Sequence, residues 1–169
     1  MSLLAAPPQQ SHTNEPRGEN MTALVSAKTV VLVRCDGERH PVLLPSVPVT
    51  RVAVTTRGSE VDLSELRTAL SSARMGVRFA LVGPERAVYA ARAEIRRAGG
   101  LDSEIGIHVT ARDARIVFCA HCRERTAFDG PTGSVVECAG CGTSLVTNEH
   151  FSRAHAAYLG HKVDAETAR

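Results

Sequence analysis

Residues 77–100 read VRFALVGPERAVYAARAEIRRAGG. VRFALVG is a short apolar run with the look of a strand. Gly83-Pro84 turns the chain sharply. Val88, Ala91, Ile95 and Ala98 then recur at helical spacing, and Gly99-Gly100 stops the helix. A strand that passes into a helix through so tight a turn is half of a βαβ unit.

The flanks extend the pattern. Upstream, RVAVTT (51–56) reads as a strand and RGSE as a turn. VDLSELRTALSSA reads as a helix, with Leu63, Leu66, Leu70 and Ala73 on one face and Asp62 or Ser59 as its cap. Downstream, EIGIHV (104–109) and RIVFCA (115–120) read as strands. From residue 51 the order is β-α-β-α-β. This predicts an α/β fold built on a small, parallel, Rossmann-like sheet with right-handed crossovers. TVVLVRC (29–35) is a further strand, CDGERH a turn, and the Pro-punctuated HPVLLPSVP an edge strand or a loop.

The first twenty residues are rich in Pro, Gln, Asn, Ser and charge, which predicts disorder. Met21 is a candidate initiator, a hypothesis that native N-terminal peptides from residues 1–20 would refute. The expected organisation is a disordered tail over 1–22, a Rossmann-like domain over 23–114, and a metal-binding ribbon with a C-terminal helix over 115–165.

That ribbon is read from CAHCRERTAFDGPTGSVVECAGCG. It carries four of the five cysteines as two C-x-x-C pairs, Cys119 with Cys122 and Cys138 with Cys141. Spacing of two residues lets both thiolates of a tight knuckle face one ion. C-x2-C-x15-C-x2-C falls in the zinc-ribbon range. Four thiolates suit Zn, with a single Fe as the alternative. Gly142 suits a knuckle turn, whereas Arg123 must make the matching bend without glycine. His121 is expected beside the metal rather than on it. Asp129-Gly130-Pro131-Thr132-Gly133 reads as a hairpin-like turn between two β-prone arms. Cys35 reads as a buried small apolar residue. In NEHFSRAHAAYLGHK, Phe151, His155, Tyr158 and Leu159 share a helical face. Asn148 then serves as N-cap and Gly160 as stop, which predicts the last helix.

Composition narrows the function. Hydrophobic residues make up 43% of the 169, and the formal charge is only +2. Tryptophan is absent, and there are four Phe and two Tyr. So small a charge and so few aromatics argue against nucleic acid, although Arg112, Arg115, Arg123 and Arg125 are available to phosphate. No apolar run is long enough to span a membrane, and reduced cysteine pairs point to the cytoplasm. Arg92, Arg96 and Arg97 read as the solvated face of their helix.

Two resemblances add to this reading. LVGPERAVYAARAEIRRAG resembles the last strand, turn and helix of the nicotinamide domain in ferredoxin-reductase-like flavoproteins, with Gly83 and Pro84 at the fixed positions. No Gly-rich phosphate loop follows an earlier strand, so this is a degenerate nucleotide-type turn kept as a scaffold.

The segment CAHC, CAGCG and EHFSRAHAAYLG resembles the small A subunit family of bacterial dimethylamine monooxygenase, over about residues 115–165. The resemblance implies an accessory or electron-path subunit of an NADPH-dependent enzyme that converts dimethylamine to methylamine and formaldehyde. Its partners are then a reductase-like and a haem-containing subunit. This chain alone is expected to bind no flavin, haem or NAD(P). His150, Phe151, Ser152, Arg153 and Tyr158 are the candidate partner contacts; alternatively, Phe151 and Tyr158 only dock the last helix. The competing functions are a zinc-ribbon nucleic-acid-binding protein and a rubredoxin-like iron electron carrier.

Overall fold

The computed structural model describes residues 21–112 and 114–163. The expectation of disorder over residues 1–20 lies outside them. Met21 and Thr22 are described, and Thr22–Leu24 forms a 3-10 turn whose Leu24 is buried. The fold is mixed α/β, with two five-stranded sheets.

In the first sheet, β1 (Thr29–Cys35) is central. β2 (Val49–Arg57) and β4 (Val77–Pro84) pair with it in parallel, and β5 (Ile105–Ala111) pairs in parallel with β4. β3 (Glu60–Asp62) closes the β2 edge antiparallel. α1 (Ser64–Ser72) starts where Asp62 Oδ1 accepts the Ser64 amide at 2.9 Å, and it buries Leu66 against the sheet. The strand at 29–35, outside the β-α-β-α-β pattern counted from residue 51, therefore sits at the centre of the sheet. No helix joins β1 to β2. The Pro-punctuated segment is a loop whose Val42, Leu44 and Val47 pack over Val30, Leu32, Ala80 and Val82 on the far face.

α2 (Glu85–Arg97) follows β4 with no intervening loop. Val88, Ala91 and Ile95 face the first sheet, as their spacing predicts. Its opposite side is not solvated. Tyr89 and Ala93 enter a second core with Val117, Phe128, Leu145, Phe151 and Tyr158. Arg92 is only 8% exposed and ion-pairs with Asp102, which corrects the reading of Arg92 as solvated; Arg96 and Arg97 are exposed. A helix packed between two sheets must be apolar on two sides, so its one-sided sequence stripe understated its burial.

The second sheet has the order β7-β6-β10-β9-β8. β6 (Ala114–Cys119) and β7 (Arg125–Asp129) form one hairpin, and β8 (Val135–Glu137) and β9 (Ser144–Ser152) the other. β7 and β8 lie at opposite edges, so the 129–133 segment crosses between hairpins and is not itself a hairpin turn.

The expected C-terminal helix is absent. Residues 148–152 continue β9, and β10 (Ala157–Lys162) returns as the central strand, parallel to β6 and antiparallel to β9. The apolar spacing that suggested one helical face instead places Phe151 and Tyr158 opposite one another across two strands, ring centroids 5.0 Å apart. Asn148 caps no helix; its Oδ1 accepts the His150 amide within the strand. Gly160 stops no helix either. It lies in β10, where a Cβ would fall 2.6 Å from Val117 Cγ2. Among the described residues no helix is long and apolar enough to cross a membrane.

Candidate metal centre

Each cysteine pair occupies the turn of one hairpin. Cys119 ends β6, and the chain bends so that Arg123 N donates to Cys119 O and Cys119 N donates to Glu124 O, both at 2.9 Å. The second turn repeats this one for one. Gly142 N donates to Cys138 O, and Cys138 N to Thr143 O, both again at 2.9 Å. The residue after each second cysteine is left-handed, with φ +67° at Arg123 and +68° at Gly142. The first knuckle thus bends without glycine, as its sequence required.

The four sulfurs converge. Cys119 Sγ lies 3.9 Å from Cys141 Sγ, and Cys122 Sγ lies 3.5 Å from Cys138 Sγ. All four lie within 4.8 Å of one another. A disulfide needs about 2.0 Å between sulfurs, and all four cysteines are free. A tetrahedral ion with bonds of about 2.3 Å sets sulfurs roughly 3.8 Å apart, so the cluster fits a closed four-thiolate site. Cys119 and Cys138 are buried, while Cys122 and Cys141 reach the surface.

The surroundings differ from sulfur to sulfur, and at Cys141 they favour the thiolate. The Cys141 thiol is pushed down to about 5 by the Thr143 hydroxyl, 3.3 Å away, then by the Thr143 amide and by His121. His121 is exposed beside the cluster and is not one of the converging groups. Thr126, on the first hairpin, accepts the Ala139 amide of the second knuckle at 3.0 Å. Neither Thr126 nor Thr143 carried a sequence signal, since each acts through a contact with the other hairpin or with a sulfur.

The other predicted residues divide. Phe151 and Tyr158 are 3% and 1% exposed and belong to the core beneath α2. His150 and Arg153 are exposed, and Ser152 is half-buried with its hydroxyl accepting the His155 amide. Arg115 stacks over the Tyr158 ring, 5.2 Å from its centre, and Arg112 and Arg115 both ion-pair with Glu85. Two of the four arginines considered for phosphate are thus paired with a carboxylate, Arg115 largely enclosed and Arg112 still exposed. Arg125 is half-buried, and Arg123 is exposed.

Gly83 has φ +146°, and a Cβ there would lie 2.6 Å from Cys35 Cβ, so β4 needs glycine to pass the end of β1. Pro84 then leads directly into Glu85, the first residue of α2. Cys35 is fully buried, as expected of a small apolar residue. Sequence spacing had not singled out Glu85. It is 1% exposed, and it accepts the Tyr158 hydroxyl at 2.8 Å.

Residues 116–161 match the family described as "Dimethylamine monooxygenase subunit DmmA-like, C-terminal domain". The chain is 36% identical, over 124 residues, to the "Heme-dependent oxidative N-demethylase delta subunit" of Ectopseudomonas mendocina (strain ymp). The alignment covers 73% of this chain and 70% of that relative. No solved structure matches.

Proposed function

Because the chain belongs to the DmmA-like family of dimethylamine monooxygenase subunits, we propose that it is an accessory subunit of a haem-dependent oxidative N-demethylase. In this reading the whole assembly uses NADPH and O2 to convert dimethylamine to methylamine and formaldehyde. A haem-containing subunit oxidises the N-methyl group, and a reductase-like subunit delivers the electrons. This chain holds neither centre, and the assembly works in the cytoplasm.

The observation that carries the reading is the closed four-sulfur cluster within the matched segment. Cys119, Cys122, Cys138 and Cys141 would hold zinc. When bound, it supplies folding energy of order 10 kcal/mol. Four thiolates leave no position for water or substrate, so the site stabilises rather than catalyses. Thr126 ties the second knuckle to the first hairpin, and Thr143 holds charge on Cys141.

The proposed boundaries are 23–114 for a Rossmann-like scaffold and 115–165 for the ribbon. Four parallel strands with β1 at the centre support the first. Its Gly83-Pro84 turn serves packing. Glu85 sets a carboxylate in the first turn of α2, where a bound phosphate would meet like charge.

Purification of the tagged chain from its native host tests this reading. Co-elution with a haem Soret band and flavin absorption, and loss of dimethylamine-dependent NADPH oxidation when the chain is deleted, are expected. A colourless protein that elutes alone, or undiminished oxidation without the chain, would sink it.

A further inference from the structure

The surface of the second sheet sorts its charges. One cleft of about 730 Å³ is lined by Phe118, His150, Phe151, Arg153, His155 and Leu159, with Ser152 and Ala154 between. A second, of about 560 Å³, opens further along β10 beside the first knuckle, where His121, His161 and Lys162 surround Ala120, Leu145 and Gly160. Neither lining contains a carboxylate. The cleft where the second sheet meets α1 and α2 is different: Arg67, Arg97 and Arg125 are balanced there by Glu60, Glu94 and Glu124. Between residues 138 and 163 the one acidic residue is Glu149.

The first cleft is also built. Phe118 and Leu159 are adjacent across β6 and β10 and only half-buried. His155 stacks on Phe118, ring centroids 4.4 Å apart and planes 14° from parallel. Ser152 fixes the turn that carries His155. An apolar floor with a cationic rim therefore faces outward in a defined shape.

We propose that this cleft docks an acidic segment of a partner subunit, with an apolar side chain seated on Phe118 and Leu159 and a carboxylate against Arg153. The proposal rests on the accessory-subunit reading and names the chemistry of the partner. Charge complementarity selects the occupant. Arg153 and Lys162 are the permanent cations of the two clefts. Two cations are too few for phosphate-driven nucleic-acid binding. They suit the polar rim of a protein interface around an apolar centre.

The test uses the full chain co-produced with the other subunits from its own host, and titration of the purified partner assembly. Wild-type protein should co-elute with its partners and weaken as NaCl rises from about 0.05 to about 0.5 M. Arg153→Glu and Leu159→Ser should each raise Kd at least about tenfold, while Arg153→Lys stays near wild type. Metal content and melting temperature of each variant serve as fold controls. If both variants bind the partners as wild type does, the docking site is overturned and the subunit reading stands. If wild-type protein elutes alone, the subunit reading falls and takes the docking site with it. A wild-type dimer, or binding of a DNA duplex, that Arg153→Glu abolishes while partner binding is unchanged would also overturn the proposal.

Discussion

The Tyr158 hydroxyl donates to Glu85 Oε1 at 2.8 Å, joining residues 73 positions apart in the sequence. The bond ties the first turn of α2 to the central strand of the second sheet. Arg112 and Arg115 ion-pair with the same carboxylate. Tyr158→Phe keeps the ring packing on Phe151 and Phe128 and removes one hydrogen bond. It should cost about 1–3 kcal/mol. Glu85→Ala removes the shared acceptor and leaves Arg115 and Tyr158 to a core without it. It should cost roughly 3–5 kcal/mol. Urea denaturation followed by circular dichroism measures both, and equal losses in the two variants would contradict the ranking.

The metal centre predicts a stoichiometry. Produced by itself, without partner subunits, the chain should carry one zinc per chain and be colourless. Chelation, or Cys138→Ser, should unfold the second sheet, because the two knuckles hold hairpins that are not neighbours in it. Atomic absorption together with amide hydrogen exchange reads this. A red iron protein, or a second sheet that stays protected from exchange after metal removal, would refute a structural zinc.

Gly160→Ala tests how closely β10 packs on its neighbours. In β10 the new methyl meets Val117 Cγ2 at 2.6 Å and Leu145 Cδ1 at 3.1 Å. The expected loss is about 1–3 kcal/mol from overpacking, read as a lower melting temperature.

The two knuckles share one geometry but not one residue. Arg123 adopts φ +67° at a cost of about 1–2 kcal/mol, part of which glycine would return in unfolded-state entropy. Arg123→Gly should therefore stabilise the protein by up to about 1 kcal/mol. Gly142→Arg should destabilise it. Equal and opposite shifts in denaturation midpoint would support the pseudo-symmetry; stabilisation by both would contradict it.

Alkaline pH should weaken the fold. Burial, followed by the neighbouring Asp36, pushes the Cys35 thiol up to about 12 from 9.0. Burial, then Glu85, pushes Tyr89 up to about 12 from 10.0. Both native pKa values lie above the unfolded ones, so their contributions are complete below about pH 9 and are lost as pH rises towards 12. For Cys35 the loss is at most about 4 kcal/mol. Cys35→Ala should flatten the stability profile between pH 9 and 11; an unchanged slope would remove Cys35 as its source.

Sequence legibility followed the range of the interactions. The knuckles were readable because a C-x-x-C turn places both of its sulfurs through four consecutive residues. That the 77–100 stretch makes β4 and α2 was readable for the same reason, and Leu63, Leu66 and Leu70 marked α1. The 148–162 segment was misread because Phe151, Tyr158 and Leu159 fit a helical face as well as they fit two paired strands. Periodicity over so short a run cannot choose between them. The central β6 to β10 register decided it, and that register depends on residues some forty positions apart.

By itself, then, the sequence determined the local chemistry: two metal-type turns, a strand passing into a helix at Gly83-Pro84, and family motifs that need only short spacing. Tertiary structure alone decided that β1 is central, that β10 separates the two hairpins, and that α2 is buried on two sides with Glu85 bonded to Tyr158. The physical reason is that local turns are fixed by the backbone preferences of a few adjacent residues. Strand order and helix burial are fixed by which apolar surfaces meet across the whole chain, and no single segment encodes that.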